Sequence, residues 1–378
     1  MTRRVLWICE YARLNGAERS LLATLSGLRS SGYDVAAVGP ATGPLAEELA
    51  RAAVPLTPVE WHDAAGRRIA LDDVRAELER CIGSLAPGLV HANSLSMARI
   101  AGPVVQSLGV PGIGHIRDIV GLSRTAIADV NRNARLLCVS AATRDFHVAQ
   151  GLDPDRAHVL HNGVDLEEFR PRTATGRLHT ELGLEPTTRL LTTIGQIGAR
   201  KGQDVVLAAL PDIVAAAPDV HLLIVGERCS QKAETVEYER QLLAAADASG
   251  LSPHVHFLGV REDVARILNE TAVLVHAARQ EPLGRVLLEA AASGCAVVAT
   301  DVGGTAEIFA TVAPSAVLIK PNNSRLLAEE VLRLLEDDER RGRLAAEAKL
   351  RATAAFDRRT TARQLALHYD AVIDTASR

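Results

Sequence analysis

The fold of this chain is decided by residues 272–307, which read AVLVHAARQEPLGRVLLEAAASGCAVVATDVGGTAE. We expect a strand at 272–277 and another at 296–299, because short apolar runs with β-branched residues are typical of strands buried on both faces. Between them we predict a helix that begins at Pro282 and stops at Gly294. Proline suits the first turn of a helix, where it has no N–H to leave unpaired, and glycine commonly ends one.

A further helix is predicted at 305–309, so two helices begin at the carboxyl ends of adjacent parallel strands. Their free N–H groups and positive dipole ends would hold an anionic ligand, and open α/β sheets bind ligands at this edge. Glu281 stands at the mouth of the first helix, and Glu289 lies about two turns inside it. The apolar neighbours of Glu289 argue against the alternative of a solvent-facing side chain. A buried carboxylate needs a hydroxyl or a cation, so the pocket suits a ligand with both phosphate and sugar hydroxyls.

Glu281, seven intervening residues and Glu289, with Gly284 between them and the sequence GGTAE at 303–307, resemble the signature of retaining glycosyltransferases of family 4. The resemblance covers nearly the whole chain. It implies the GT-B architecture, an α/β fold of two Rossmann-like domains with parallel sheets facing across a cleft. We therefore expect an acceptor-side domain at 1–168, a linker at 169–186, a nucleotide-sugar-binding domain at 187–355, and a last segment at 356–378 whose helix crosses back onto the first domain.

Composition agrees with two domains and narrows the partners. The chain has 378 residues, and 47% of them are hydrophobic. Its net charge of −4 does not indicate the basic surface that nucleic-acid-binding proteins use. No apolar run approaches the roughly 20 residues that span a bilayer. The first apolar run is short and predicts a strand instead of a secretory signal. Five cysteines without paired metal-ligand spacing favour a reducing cytoplasm. Peripheral contact with the inner face of a membrane stays open, although the charge of the chain does not favour it. The oligomeric state also stays open.

The loop after a predicted strand at 190–194 reads GQIGARKG. Two adjacent cations between glycines suit a diphosphate, because glycine lets the backbone approach and the cations offset the charge of a leaving group. A solvated basic turn is the alternative. By the resemblance, Lys201 grips the diphosphate and Gly195 contacts the donor. The family often has arginine directly after the first glycine, where this chain has Gln196, so we expect Arg200 to supply that charge.

In the first domain the resemblance points to Gly16 and His115. Gly16 lies in NGAE at 15–18, where the family usually has two glycines that close over the donor phosphates or guide the acceptor. Asn15 replaces one of them, and because asparagine tolerates positive φ the turn would survive. A plain strand-to-helix loop explains the segment almost as well. His115 in GHIRD would be structural on its own, but the resemblance places it against the donor sugar, with Arg117 and Asp118 as candidates for the acceptor side.

Residues 255–263 resemble the family segment whose backbone reads the nucleotide base, which makes Val260 and Arg261 donor-binding candidates. Leu283 and Gly284 complete the predicted donor-binding set. Backbone contacts carry little side-chain information, so the base is poorly determined. A UDP-sugar is favoured because it is common in the family, and a GDP-sugar stays open.

The resemblance implies a retaining, metal-independent glycosyltransferase of the hexosyltransferase type. It would move a sugar from a nucleotide-diphosphate sugar to a hydroxyl acceptor, in the synthesis of a glycan, a glycolipid or a glycosylated metabolite. The predicted catalytic residues are His115, Lys201, Glu281 and Arg200. No cofactor is expected, since cations and helix ends serve the diphosphate. Two alternatives stay open: a nucleotide-sugar epimerase of the same architecture, and a catalytically silent nucleotide-sugar-binding protein.

Overall fold

The computed structural model describes residues 3–63, 66–248 and 250–376. The chain forms two compact units, one from Met1–Gly163 with Arg358–Arg378 and one from Val164–Asp357. The ends of the predicted ranges 1–168 and 356–378, namely residues 1, 2, 377 and 378, lie outside the described residues.

The first unit is built on a seven-stranded parallel sheet of order β3-β2-β1-β4-β5-β6-β7. Its strands are β1 Arg3–Ile8, β2 Tyr33–Gly39, β3 Leu56–Pro58, β4 Leu89–Ala92, β5 Gly112–Ile116, β6 Arg135–Cys138 and β7 Ala157–Val159. Its helices are α1 Gly16–Leu22, α2 Leu25–Ser30, α3 Pro44–Arg51, α4 Leu71–Leu85, α5 Leu95–Leu108, α6 Arg124–Val130, α7 Ala141–Val148 and α16 Arg358–Ala376. Because the strand order reverses between β1 and β4, their carboxyl ends form the crevice where such sheets bind ligands.

Serine side chains fix where two of these helices begin. The Oγ atoms of Ser94 and Ser140 accept hydrogen bonds from the backbone N–H groups of Met97 and Thr143, at 3.1 and 2.9 Å. Each serine follows a buried strand, so the side chain satisfies an N–H that the first helical turn would otherwise leave unpaired. The carboxyl edge of the sheet is thereby held in a defined geometry.

The last helix, α16, belongs to the first unit. Leu365, Tyr369 and Val372 are buried in the same apolar cluster as Trp7 on β1 and Leu28 on α2. A chain that leaves the first unit at Gly163 therefore returns to complete its core.

The second unit is built on a six-stranded parallel sheet of order β10-β9-β8-β11-β12-β13. Its strands are β8 Arg189–Ile194, β9 Val220–Val225, β10 Val255–Gly259, β11 Val273–His276, β12 Ala296–Thr300 and β13 Val317–Ile319. Its helices are α8 Arg177–Leu182, α9 Gln203–Ala216, α10 Ala233–Ala248, α11 Val264–Glu270, α12 Arg285–Ser293, α13 Thr305–Ile308, α14 Ser324–Glu336 and α15 Asp338–Ala355. Two units, each with helices around a parallel sheet, confirm the predicted α/β class.

The helix after β11 begins later than the sequence predicted. It starts at Arg285 instead of Pro282, because Gly284 adopts φ 100°, a left-handed conformation that ends the preceding loop. Glu289 consequently lies one turn inside the helix and not two. The segment 169–186, expected to be a linker, contains α8, whose Leu178 is fully buried against Leu190, Leu223 and Ile267.

Candidate active site

The loop after β8 brings Lys201 into direct contact with Glu281. The Nζ atom of Lys201 lies 2.5 Å from Oε2 of Glu281, and both side chains are largely buried. His276, the last residue of β11, places Nε2 2.9 Å from the same oxygen. The sequence singled out Lys201 and Glu281 separately, and the structure brings them together with a third residue that the sequence analysis missed.

Glu281 is held as a carboxylate by these neighbours. Burial alone would raise the pKa of Glu281, but Lys201, the hydrogen bond from His276 and the charge of Arg200 hold that pKa well below its usual value. Burial lowers the pKa of His276, so its ring is neutral and its Nε2–H donates to the carboxylate. The site therefore offers an ionised oxygen acceptor beside an ammonium group, a combination that suits hydroxyls and a phosphate.

Glycines let the Lys201 loop close over the end of β11. Gly202 has φ 69°, and a Cβ atom there would lie 1.9 Å from the carbonyl oxygen of Ala277. At Gly195, with φ 151°, a Cβ atom would lie 3.5 Å from Cε of Lys201. Only glycine fits at position 202, and this close backbone approach is what carries Lys201 to the mouth of the site.

Arg279 ties that loop to the segment before Glu281, and the sequence analysis did not find it. Its guanidinium donates to the carbonyl oxygen of Ala199 at 2.6 Å and to the two carboxylate oxygens of Asp204 at 2.9 and 2.6 Å. Its backbone N–H donates to the carbonyl oxygen of Arg200 at 2.8 Å. Arg200 itself donates to the carbonyl oxygen of Gln280 at 3.3 Å. Arg200 thus lies beside the segment that carries Glu281.

Glu289 is buried, as its apolar neighbours predicted, and it meets a cation from its own helix. Nε of Arg285, one turn earlier, lies 2.8 Å from Oε1 of Glu289. The Nη1 atom of Arg285 is buried and has no hydrogen-bond partner among the described residues. This guanidinium is a second cation at the helix start that the sequence analysis overlooked, although its i,i+4 spacing to Glu289 was a visible signal.

The two helix starts are unequal, which corrects the expectation of two similar anion sites. The N-cap of α12 is Gly284, which makes no side-chain cap and lies close to Glu281, since a Cβ atom there would be 3.3 Å from Cγ of Glu281. In contrast, α13 has only four residues and a correspondingly small dipole. Its N-cap residue, Gly304, donates a backbone hydrogen bond of 2.9 Å to the carbonyl oxygen of Glu281 and so positions the carboxylate.

The remaining predicted donor-binding residues of the second unit differ in their exposure to solvent and in their hydrogen bonds. Val260 is 62% exposed, whereas Leu283 is fully buried. Arg261 donates to Asp263 at 2.8 Å and pairs with Glu181 of α8. Its guanidinium is therefore held by two carboxylates of its own unit.

In the first unit, the loop at Gly16 does not need the conformation proposed for Asn15. Asn15 has φ −77° and ψ 179°, an ordinary extended backbone, so the expected positive φ is wrong. The helix can begin at Gly16 directly from this extended residue. A Cβ atom at Gly16 would meet nothing within 4 Å, which shows open space over the start of α1.

His115 lies buried at the end of β5. Its Nδ1 atom is 3.1 Å from Nη2 of Arg117 and 3.2 Å from Nε2 of His91 on β4. Arg117 is anchored in turn by the side-chain oxygens of Asn93 and Asn162, at 3.0 and 2.8 Å. The other nitrogen of His115, Nε2, is buried without a partner in the described part of the chain. The predicted residue is thus rigidly held with one polar atom unused.

Glu18 is an unusual carboxyl group in the same unit that the sequence analysis missed. Its side chain is on α1 and only 1% of the residue is exposed. Neither carboxyl oxygen has a hydrogen-bond partner among the residues that the structure describes. Burial raises its pKa to about 7, against the opposing effects of its own backbone N–H and of the charge of Arg117. A protonatable group therefore stands near the switch point of the first sheet.

Within residues 3–63, 66–248 and 250–376, no group of three or more His, Cys, Asp or Glu side chains is arranged to hold a metal ion. Asp153, part of the sequence Asp153-Pro154-Asp155, instead pairs with Arg156 at 3.1 Å. Over the same ranges, no helix has the length and apolar character needed to cross a membrane.

Comparison with protein families identifies the class of protein. Residues 14–168 match the model of Glycosyltransferase Family 4, and residues 176–351 match that of Glycosyl transferases group 1. The two matches fall on the two sheets just described. The chain belongs to glycosyltransferase family 4, as the resemblance implied.

Curated relatives carry several specificities. The GDP-mannose-dependent monoacylated alpha-(1-6)-phosphatidylinositol monomannoside mannosyltransferase of Corynebacterium glutamicum is 33% identical over 225 residues, 56% of this chain and 55% of that protein. The D-inositol 3-phosphate glycosyltransferase of Segniliparus rotundus is 26% identical over 249 residues, 60% of this chain and 54% of that protein. The chain thus spans about half the length of the curated relatives it matches.

Solved structures share the fold over nearly the whole chain. The Anabaena HepE protein, crystallised with UDP-glucose, superposes with a TM-score of 0.85 over 97% of this chain and 99% of its own, at 22% identity. The sucrose-phosphate synthase of Thermosynechococcus elongatus superposes with a TM-score of 0.81 over 99% of this chain and 100% of its own, at 17% identity. These likenesses show that the fold is that of GT-B glycosyltransferases.

Proposed function

We propose that this protein is a retaining glycosyltransferase that moves a sugar from a nucleotide-diphosphate sugar to a hydroxyl group. The observation that carries the proposal is the buried contact of Lys201 with Glu281, beside the uncapped start of α12. This contact holds an ammonium group against an ionised carboxylate, three residues before the N-cap of α12. Membership of glycosyltransferase family 4 supports the same reaction class.

Lys201 stabilises the leaving diphosphate in this proposal. An ammonium group has three donors, so Lys201 can keep its contact with Glu281 while it binds a phosphate oxygen. Arg200 and the first N–H groups of α12 add to the positive field where negative charge develops. Such fixed donors contribute because they need no reorganisation during the reaction.

The carboxylates recognise the carbohydrate parts of the donor. Glu281 is held ionised and accepts hydrogen bonds from hydroxyls of the transferred sugar, while Glu289 binds the ribose hydroxyls. The Glu289 carboxylate is oriented by its ion pair with Arg285, one turn earlier on the same helix. His115 is retained in this proposal as a sugar-binding residue, as the family resemblance implies.

Retention of configuration follows if the acceptor hydroxyl attacks from the face that the diphosphate leaves. The departing phosphate then takes the proton of the hydroxyl, and the anomeric carbon passes through an oxocarbenium-like state. Glu281 is already bonded to Lys201 and His276, which argues for a binding role and against a role as nucleophile.

The donor and the acceptor are proposed as classes. A UDP-sugar is favoured as the donor, in line with the HepE structure with UDP-glucose. The name of the mannosyltransferase relative specifies GDP-mannose, so GDP-sugars are tested as well. The acceptor is a hydroxyl of a glycan, a glycolipid or a metabolite, and the names of relatives make D-inositol 3-phosphate and phosphatidylinositol mannosides informative members of an acceptor panel. No metal is required, because Lys201 and Arg200 supply the positive charge.

The proposal is tested by incubating the protein with UDP- and GDP-sugars and the acceptor panel, with and without EDTA. We expect one donor and acceptor to give a glycoside of retained anomeric configuration by mass spectrometry and NMR, with yield insensitive to EDTA. Glu281→Gln should abolish the product while circular dichroism stays native. An epimerised nucleotide sugar without acceptor would show the epimerase alternative, and tight nucleotide binding with no conversion of any donor would show the silent one.

A further inference from the structure

Buried side chains of the first unit form a hydrogen-bonded row that ends at His115. The contacts, given as distances between heavy atoms, are Trp7 Nε1 to Tyr369 Oη at 3.3 Å, Tyr369 Oη to His91 Nδ1 at 2.6 Å, and His91 Nε2 to His115 Nδ1 at 3.2 Å. Arg117 Nη2 lies 3.1 Å from the same His115 nitrogen. The row connects α16, the last helix of the chain, with the end of β5.

The arginine end of the row fixes where the protons are. A guanidinium has donors only, so Nδ1 of His115 must accept from Arg117 and carries no proton. Nε2 of His91 faces that same lone pair and must therefore be protonated. In a neutral His91 ring the other nitrogen, Nδ1, is then an acceptor.

The tryptophan end of the row gives the same answer independently. Indole Nε1 is also a donor only, so Oη of Tyr369 accepts from Trp7. Trp7 and His91 are the two hydrogen-bond partners of this hydroxyl in the described part of the chain, so its proton points to Nδ1 of His91. Both ends of the row demand one tautomer of His91, with the proton on Nε2.

Burial keeps both rings neutral. It lowers the pKa of His91 to about 3 and lowers that of His115 well below the usual value, with Arg117 acting in the same direction. The single ring proton of His115 therefore sits on Nε2. That nitrogen is buried and has no partner among the described residues, so the free energy lost by leaving it unpaired is recovered when a ligand oxygen arrives.

We propose that Tyr369, acting through His91, is a positioning residue that fixes His115 as an Nε2–H donor to a ligand oxygen at the carboxyl edge of the first sheet. The inference rests on the proposed function for the identity of this ligand. It also excludes His115 as a general base, because the one lone pair of its ring is already occupied by Arg117 and His91. Tyr369 contacts no reacting atom in this account and acts only by orienting the row.

The first test reads the tautomer directly and needs no substrate. Protein labelled with ¹⁵N-histidine is examined by long-range ¹H–¹⁵N NMR, and the signal of His115 is identified by its loss in His115→Gln. We expect protonated Nε2 and unprotonated Nδ1 at every pH from 6.5 to 8, because burial lowers the pKa of His115 well below the usual value of 6.5. A proton on Nδ1, or titration within this range, would overturn the proposal.

Tyr369→Phe removes only the hydroxyl and keeps the ring. We expect the His91 signal to change towards a mixture of tautomers and the Nε2–H population of His115 to fall. Transfer kcat/KM for the donor should fall roughly tenfold, the effect of one weakened hydrogen bond to the substrate. Unchanged histidine signals together with unchanged kinetics in this variant would refute the role of Tyr369.

Tyr33→Phe is the matched control. Tyr33 also binds α16, with its hydroxyl 2.7 Å from Oδ1 of Asp370, and its ring packs edge-to-face on Tyr369. We expect this variant to leave both histidine tautomers and kcat/KM unchanged. Equal effects in the two variants would mean that helix packing, and not the row, is responsible. If the wild-type protein transfers no sugar, the proposed function fails while the NMR result still decides the tautomer.

Discussion

At the residue scale, the contact of Lys201 with Glu281 in the candidate active site also contributes to the free energy of unfolding. Both groups are largely buried, and removing one partner of a buried ion pair leaves an uncompensated charge. His276 donates to the same oxygen, so a neutral amide at position 281 would also weaken that bond. The pair therefore has energetic consequences that can be measured without any substrate.

We expect Glu281→Gln to lower the free energy of unfolding by about 3 kcal/mol, because Lys201 is left buried without its counter-charge. Adding Lys201→Met to this variant should restore part of the loss. Urea denaturation of the wild type, the two single variants and the double variant gives the coupling energy. Strictly additive effects would contradict a direct interaction between the two side chains.

Glu18 gives a pH-dependent prediction with a definite sign. Its pKa is raised from 4.5 to about 7 in the folded protein, so the folded state binds the proton more tightly than the unfolded state. The contribution of Glu18 to the free energy of unfolding therefore falls as pH rises from about 4.5 to 7, by up to about 3 kcal/mol. At pH 8, Glu18→Gln should be the more stable protein, and at pH 4 the two should be nearly equal.

The measurement is the difference between urea denaturation curves of wild type and Glu18→Gln at several pH values. Buried histidines such as His91, whose pKa is lowered, also make the free energy of unfolding depend on pH, but their contribution falls as pH falls. They are present in both proteins, so the difference between the two curves isolates Glu18. A pH-independent difference would show that this carboxyl is solvated.

At the element scale, α16 offers two leucines in contrasting environments. Leu365 is 1% exposed and packs in the core of the first unit, whereas Leu367 is 67% exposed. We expect Leu365→Ala to cost about 3 kcal/mol of unfolding free energy and Leu367→Ala less than about 0.5 kcal/mol. Chemical denaturation compares them. Similar small effects would mean that the helix is not docked in solution.

The strands and the general order of helices could be predicted from sequence, because runs such as 296–299 are short, apolar and β-branched. The start of α12 could not. Pro282 is suited to the first turn of a helix, but the backbone of Gly284 adopts a left-handed conformation. Glycine is compatible with many backbone conformations, so its presence in the sequence does not predict which one occurs. Element boundaries of this kind depend on the tertiary path of the loop.

The candidate site was predictable where its residues follow local patterns, as with Lys201 between glycines and Glu281 before a helix. Arg279 and Tyr369 were not predictable, because their partners are distant in sequence. Arg279 binds Asp204, 75 positions away, and Tyr369 binds His91, 278 positions away. No periodicity or motif connects such pairs, and only the fold brings them together.

At the scale of the whole molecule, the first unit is formed from two separate stretches of the chain. Val164–Asp357 forms the second unit before Arg358–Arg378 returns to the first. The two tryptophans, Trp7 and Trp61, are both buried in the first unit, so tryptophan fluorescence reports on that unit alone.

A chain that ends at residue 357 should therefore lose the fluorescence-detected thermal transition, or show it at least about 10 °C lower, because Leu365, Tyr369 and Val372 leave the core. Circular dichroism should still show unfolding of the second unit, whose residues are all retained. An unaltered tryptophan transition would contradict the assignment of α16 to the first unit.

The central claim is that Lys201 stabilises a departing diphosphate, and the most direct test measures kcat/KM for sugar transfer in Lys201→Met. Loss of one positioned donor typically lowers the rate by about 100-fold or more, and we expect that here with a native circular dichroism spectrum. Lys232→Met, at an exposed lysine of the same unit, is the matched control and should match the wild type. Transfer by Lys201→Met within about twofold of the control would contradict the account.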